Sequence, residues 1–464
     1  MNQSKVLPTA ADAITDVFDG ATVCLSGFGP VRNRAMGLIK ALAGRPEVKN
    51  LTIIANSFHQ NDFAEQHQVK KLIAAFGGSV YRRGADPMEE QIRTGEITFE
   101  PTPQGILVER LRAGAAGIPA FYSPVGLATV VAEGKERRTF DGKEYLLETA
   151  LKPDFAFIRA QKADESGNLV NLGSSLNFTP TMAAAARITI AEVDEIVPTG
   201  SIDPEDVDVP GIHVHRVVLY DKAMDAELAA VESQLRGRRQ VEAQEKPGLT
   251  RELMALRTAR LLKPGQYVNL GMGLPTLVGN FINQEDGVML HAENGVLGYG
   301  PTPPDEEKVW YNYNAQSQLV SILPGASFFS SLDAFTMARG GRLDVVVLGG
   351  MQVSESGDLA NWWAPYMAAG GMGGAMDLCT NVPELIVVME HTTRDGEKRI
   401  LNKCEYPLTA ASCVTKIVTD LALIEVTPEG LVLKETAPGV TPEYIQELTE
   451  PTLIVAPDCR EMAF

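Results

Sequence analysis

The sequence predicts an α/β protein made of two related open domains with mainly parallel sheets, the product of an internal duplication. Two observations predict it. Three stretches recur in the same order in each half: DGATVCLSGFGP (19–30) with KPGQYVNLGMGLP (263–275), PDFAFIRAQKADESGNL (153–169) with LDVVVLGGMQVSESGDL (343–359), and ARITIAEVDEIV (186–197) with PELIVVMEHTT (383–393). Strands among them, such as VVVLG (345–349) and LIVVME (385–390), are continuous apolar runs rich in β-branched residues. Parallel sheets buried on both faces require such runs.

The elements follow in order. TAADAITDVFDG (9–20) reads as a helix with Thr9 as its N-cap, leading by a turn into the first strand and its glycine-rich exit. TPQGILVERLRAGAAGIPAFY (102–122) sets Gln104 just before a helix. His213 and His215 alternate on an expected strand and share a face; with no evident third ligand, a structural role is favoured over a metal site. The charged helical stretch AMDAELAAVESQLRGRRQVEAQEK (223–246) has no apolar face wide enough for the core and reads as a solvated connector. LTRELMALRTARLLKPG (249–265) is apolar at helical spacing and stops at Lys-Pro-Gly. The expected division is residues 1–222, a connector at 223–248, and residues 249–464.

Composition excludes several classes. Of 464 residues, 59 are acidic and 41 basic, a formal charge of −18. A nucleic-acid binder would carry a basic stripe, so no such partner is expected. No stretch approaches the roughly 20 apolar residues of a membrane span. Cys24, Cys379, Cys404, Cys413 and Cys459 are scattered without CxxC spacing and read as reduced thiols, not a disulfide frame or a zinc site. The start, MNQSKVLPTAADAI, has neither a signal-peptide core nor an Arg-rich transit pattern, so a cytoplasmic location is expected.

Four segments are candidates for chemistry. Gly27-Phe28-Gly29 and Gly271-Met272-Gly273 follow strands and would let a phosphate or pantetheine approach closely. Neither completes GxGxxG, and no acidic residue follows at a dinucleotide spacing, so no nicotinamide site is expected. In VMLHAENGVLGYGPTP (288–303) an apolar strand delivers Glu293 into Asn294-Gly295, at the edge where open α/β sheets bind ligands. A surface glutamate in a hairpin fits the same spacing, and both readings stand. His291 points to the same side of that strand as Glu293. The glycines of GGMGGAMDL (370–378) leave backbone N–H groups unshielded, which suits either an oxyanion hole or the close packing of a helix start. From the residues alone, this is a two-domain α/β enzyme with a candidate glutamate.

Several motifs, in order, resemble family I coenzyme A transferases of the fused α–β type: HAENGVLGYGP (291–301), LPGASFFSS (323–331), MQVSESGDLANW (351–362), GMGGAMDL (371–378) and, in the first half, TPQGILVERLRAGAAGIPAFY. The resemblance covers nearly the whole chain. It implies that Glu293 is a nucleophile and that the Gln104 side chain and the Gly374 backbone N–H hold the oxyanion, one from each domain. Asn269 and Asn361 would line the same pocket, with Gly27, Gly29, Gly271, Gly273 and Gly373 as substrate- or CoA-binding positions. The site would lie between the halves.

The implied reaction moves coenzyme A between an acyl-CoA and a carboxylic or 3-oxo acid, in ping-pong fashion through a glutamyl-CoA thioester. No permanently bound cofactor is implied, coenzyme A being both substrate and covalent intermediate. A homodimer or homotetramer is expected, and the alternative activity is acyl-CoA hydrolysis on the same scaffold. Departures from the family pattern fall at 26–34, 56–59 and 305–318. The resemblance implies that these loops sit where the acyl group is chosen. Arg32 and Arg34 there either pair with the second carboxylate of a dicarboxylic acid or face solvent.

Overall fold

The computed structural model describes residues 4–57, 61–78, 87–236, 248–367 and 369–464. The first half is a sheet of β1 (Thr22–Leu25), β2 (Leu51–Ser57), β3 (Val69–Phe76), β4 (Thr98–Pro101), β5 (Phe155–Asp164), β6 (Ile188–Val197) and β7 (Arg216–Leu219). Its order is β7-β6-β5-β1-β2-β3-β4, all parallel, with the two-residue strand Leu169–Val170 antiparallel on β5.

The second sheet holds β8 (Tyr267–Leu270), β9 (Met289–Ala292), β10 (Val296–Tyr299), β11 (Ile322–Phe328), β12 (Val345–Gly349), β13 (Glu384–Val388), β14 (Lys416–Val418), β15 (Ala422–Thr427), β16 (Gly430–Thr436) and β17 (Leu453–Glu461). Its order is β11-β10-β9-β8-β12-β13-β14-β15-β16-β17. The parallel run β14-β13-β12-β8-β9 reproduces β7-β6-β5-β1-β2, and the three sequence echoes fall on β1 and β8, β5 and β12, β6 and β13. Beyond β9 the halves part. The first half continues in parallel to β3, whereas β9 turns straight back into antiparallel β10. Phe155 to Ala160 and Val345 to Leu348 are buried along their whole length, as strands covered on both faces must be.

The helices that bear on the sequence expectations and the site are α1 (Ala10–Ala13), α2 (Gln104–Ala115), α3 (Asp225–Arg236), α4 (Arg251–Ala259), α5 (Ser331–Arg339) and α6 (Ala375–Leu378). Thr9 caps α1 by accepting from the Asp12 N–H at 3.1 Å, but the helix lasts a single turn. α3 lies in the expected connector, and the connector's residues 237–247 fall outside the described ones. α4 is capped by Thr250 and ends at Ala259, before the Lys263-Pro264-Gly265 stop.

The histidine pair departs from expectation. His213 closes a 3-10 turn (Gly211–His213) and β7 begins at Arg216, so the two share no strand face. His215 accepts the Thr189 N–H at 3.0 Å. One apolar cluster runs through both halves, from Leu107, Leu111 and Phe178 to Phe335 and Val296.

Candidate active site

The halves meet along two seams. In the first, the end of β3 lies against the glycine loop of the second half. Met372 N–H donates to Ala75 O (2.8 Å), Gly77 N–H to Gly370 O (3.2 Å) and Gln104 N–H to Gly373 O (3.0 Å). Side chains are excluded there: a Cβ on Gly371 would sit 2.4 Å from the Phe76 ring, and one on Gly374 would sit 2.9 Å from Gln104 Oε1. In the second seam Asn33 Nδ2 donates to the Tyr313 hydroxyl, which donates to Ser174 O at 3.1 Å. A Cβ on Gly29 would lie 2.8 Å from the Tyr313 ring.

Between the seams lies a cavity of about 390 Å³, and Glu293 opens onto it. β9 delivers this residue into the turn Glu293-Asn294-Gly295, closed by Gly295 N–H to Ala292 O at 3.0 Å. Gly295 has φ +105°, and a Cβ there would lie 1.9 Å from Phe329 O, so the turn needs glycine. Asn294 Nδ2 donates to Tyr313 O (2.7 Å), anchoring the turn to the second seam. The hairpin reading is right, but the surface reading is not: Glu293 is 6% exposed. Burial raises its carboxyl above the ordinary range, against the pull of its backbone hydrogen bond and of Asn269 Nδ2, 3.3 Å from Oε2. Asn269 Nδ2 also lies 3.1 Å from His291 Nδ1. Burial pushes His291 down to about 4, so it is neutral near pH 7, stacked against Phe329 beneath the site.

Elements of both halves bring six of the other candidates to the same cavity, whereas Asn269, expected to line it, lies behind Glu293 and, like Gly27 and Gly273, is not among its lining residues. Gln104, Asn361, Gly29, Gly271, Gly373 and Gly374 all line it. Gln104 opens α2, is 2% exposed and donates from Nε2 to Asn56 Oδ1 at 2.7 Å. Gly374 caps α6, and its N–H has no acceptor among the described residues. Asn361 spends its amide on the protein, donating to Gly349 O (2.9 Å) and accepting from the Thr409 hydroxyl (2.7 Å). Two glycines have other occupations. The missing side chain of Gly27 makes room for Arg34 Cγ and Asn33 O, and Gly273 N–H donates to Gln316 Oε1 at 2.8 Å.

Arg34 lines the cavity, 5% exposed, with Nη2 donating to Ser57 Oγ at 2.8 Å. Arg32 lies over the Trp310 ring instead, 5.8 Å from its centroid. His59 and Phe58 fall outside the described residues. Sequence reasoning passed over Asn56 as a partner for Gln104. A fourth echo, Ile54-Ala55-Asn56-Ser57 against His291-Ala292-Glu293-Asn294, was the signal available.

The sequence profile of the Coenzyme A transferase family matches residues 7–220 and 251–448, and the chain belongs to that family. It is a transferase. The human mitochondrial succinyl-CoA:3-ketoacid coenzyme A transferase 2 is 38% identical over 488 aligned positions, covering 99% of this chain and 92% of that one. The 3-oxoadipate CoA-transferase of Pseudomonas putida has a subunit that is 46% identical over 210 residues, 44% of this chain and 97% of the subunit. The crystal structure of an acyl-CoA transferase apoenzyme from Escherichia coli O157:H7 superimposes with a TM-score of 0.81 at 23% identity, covering 100% of this chain and 96% of that one. The expected cytoplasmic location is corrected by these comparisons. The human protein and its mouse and rat counterparts, each 38% identical, are mitochondrial. Among the described residues no helix is long and apolar enough to cross a membrane.

Proposed function

We propose that the protein transfers coenzyme A between an acyl-CoA and a free carboxylic acid, with Glu293 as the covalent carrier. One observation carries the reading: a buried carboxylate on a rigid turn opens onto a cavity that both halves build, in company with Gln104 and the Gly374 N–H. A carboxylate is a weak nucleophile, and one kept from water and raised in basicity is a better one. Glu293 attacks the thioester carbonyl, the C–S bond breaks, and a mixed anhydride and CoA thiolate result. The thiolate then attacks the glutamyl carbonyl, giving the enzyme-CoA thioester and releasing the first acid. A second acid runs both steps backwards and leaves as its CoA ester. Each tetrahedral intermediate carries an oxyanion, and Gln104 Nε2 and Gly374 N–H are the donors assigned to it.

The acids are proposed to be a short 3-oxo acid and a dicarboxylic partner. The named relatives act on succinyl-CoA with a 3-ketoacid, or on 3-oxoadipate. Arg34, buried at the cavity wall, has the guanidinium fork that suits a distal carboxylate.

The test is intact mass after incubation with succinyl-CoA and no acceptor. A gain of one CoA less one water, absent in Glu293→Gln, is the expected result. Free CoA accumulating without an adduct would assign the protein to thioester hydrolysis instead.

A further inference from the structure

Asp377 is fully buried in α6, three residues after Gly374. At the N3 position of a helix, a carboxylate ordinarily reaches back to the N-cap N–H. Asp377 does something else. Its Oδ2 accepts from Gly105 N–H (2.9 Å), at the start of α2 in the other half, and its Oδ1 accepts from Arg339 Nη1 (3.1 Å) on α5. Arg339 Nη2 in turn donates to Glu109 Oε2 (2.9 Å), one turn further along α2. The chain of contacts therefore leaves α6, clasps α2 at two points and returns through α5.

Three consequences follow from this arrangement. The N–H of Gly105 is one of the donors that the first turn of α2 cannot satisfy internally, and Asp377 satisfies it from across the seam. Gly105 must be glycine, because a Cβ would sit 2.2 Å from Asp377 Oδ1. The N–H of Gly374, which an N3 carboxylate would otherwise take, keeps no acceptor among the described residues, at a residue that lines the cavity. Gln104 and Gly105 are adjacent on α2, and Gly374 and Asp377 share α6, so one carboxylate fixes both donors relative to each other.

We propose that Asp377 is a positioning residue for the transfer reaction, held by Arg339 and setting the spacing between Gln104 in one half and the Gly374 N–H in the other. This rests on the reading of Gln104 and Gly374 as oxyanion donors. Asp377 touches no substrate and acts through them. A displacement of about 1 Å in such donors costs up to about 10²-fold in rate.

The experiment is a double-mutant cycle on kcat and KM with succinyl-CoA and acetoacetate, using Asp377→Asn, Gln104→Ala and the pair. Asp377→Asn keeps an acceptor for Gly105 but loses the charge that holds Arg339. Its kcat is expected to fall about 10- to 100-fold, with KM changed less than about 2-fold. In the Gln104→Ala background the same change is expected to cost under about 3-fold, because the group it positions has gone. Fully additive losses, or a KM effect with kcat intact, would overturn the proposal. Asp377→Glu, long enough to reach back to the Gly374 N–H, is expected to lose kcat although its charge is kept; wild-type turnover in it would also overturn the proposal. If Asp377→Asn does not fold, Glu109→Gln weakens the far clasp from the rim: a kcat loss of about 3-fold supports the proposal and an unchanged kcat sinks it. Full activity in Gln104→Ala would sink the oxyanion reading itself, whereas a slow Gln104→Ala beside a fast Asp377→Asn sinks the positioning role alone.

Discussion

The two halves share a five-strand parallel core and differ in the side chains that stand at its matched positions. Cys24 pairs with Ile54 in the first half, and Asn269 pairs with His291 in the second. Two residues further along, the first half carries Asn56 and the second carries Glu293. These counterparts share a cavity and divide the work. The carboxylate is the group that can form a bond, whereas the amide accepts from Gln104 Nε2 and aims it. The backbone differs with the chemistry. β9 folds back through a three-residue turn that locks Glu293, whereas β2 leaves Asn56 on a strand running parallel to β3. On the proposed function, a duplicated scaffold thus provides one nucleophile and one support from equivalent places.

The sharpest way to break this comparison is to make the halves alike. Glu293→Asn is expected to lower kcat by about 10⁴-fold or more and to abolish the covalent adduct, measured by steady-state rates and intact mass. Next comes the donor itself. Gln104→Ala should lower kcat by about 10²-fold with little change in KM. Asn56→Ala removes the support and leaves the donor, so a smaller loss of about 10-fold is expected in the same assay.

Smaller still is the effect of Asn269, the counterpart of Cys24. Its hydrogen bond lowers a carboxyl that burial raises. Asn269→Ala should therefore move the acid limb of the pH–kcat profile to higher pH, and a limb that stays put would remove Asn269 from the site. Stability gives the last test. A carboxyl raised in the folded state binds its proton more tightly there than in the unfolded chain. Folded stability is then lost as pH rises from the ordinary carboxylate value through the raised one. Glu293→Gln is spared that loss, so its melting temperature should gain on the wild type across that window, as scanning calorimetry at several pH values would record.

Much of this was legible in the residues. The echoes placed β1, β5 and β6 against β8, β12 and β13, because buried parallel strands leave continuous apolar runs. Glu293 was legible because Asn294-Gly295 marks a tight turn at a strand end. Its burial was not, since the chain that holds its turn, around Tyr313 and Phe329, packs against Asn294 and Gly295 by tertiary contact. The same holds for Asp377, whose local pattern reads as an ordinary helix start while its partner is Gly105, 272 positions away. The histidine pair failed for a related reason: alternation suggested a strand, and Pro210-Gly211 imposed a turn.

The glycine loop has a consequence for the life of the chain before it is complete. Gly371, Gly373 and Gly374 are glycines where Phe76 and Gln104 of the other half press on them, so Gln104 and Gly374, the donors proposed above, come together only when both halves have docked. A second half newly made and still alone would hold a carboxylate with no Gln104 opposite it, and a first half would hold Gln104 with nothing to assist. Neither would spend acyl-CoA. On the proposed mechanism, thioester chemistry would begin only once the two halves have docked.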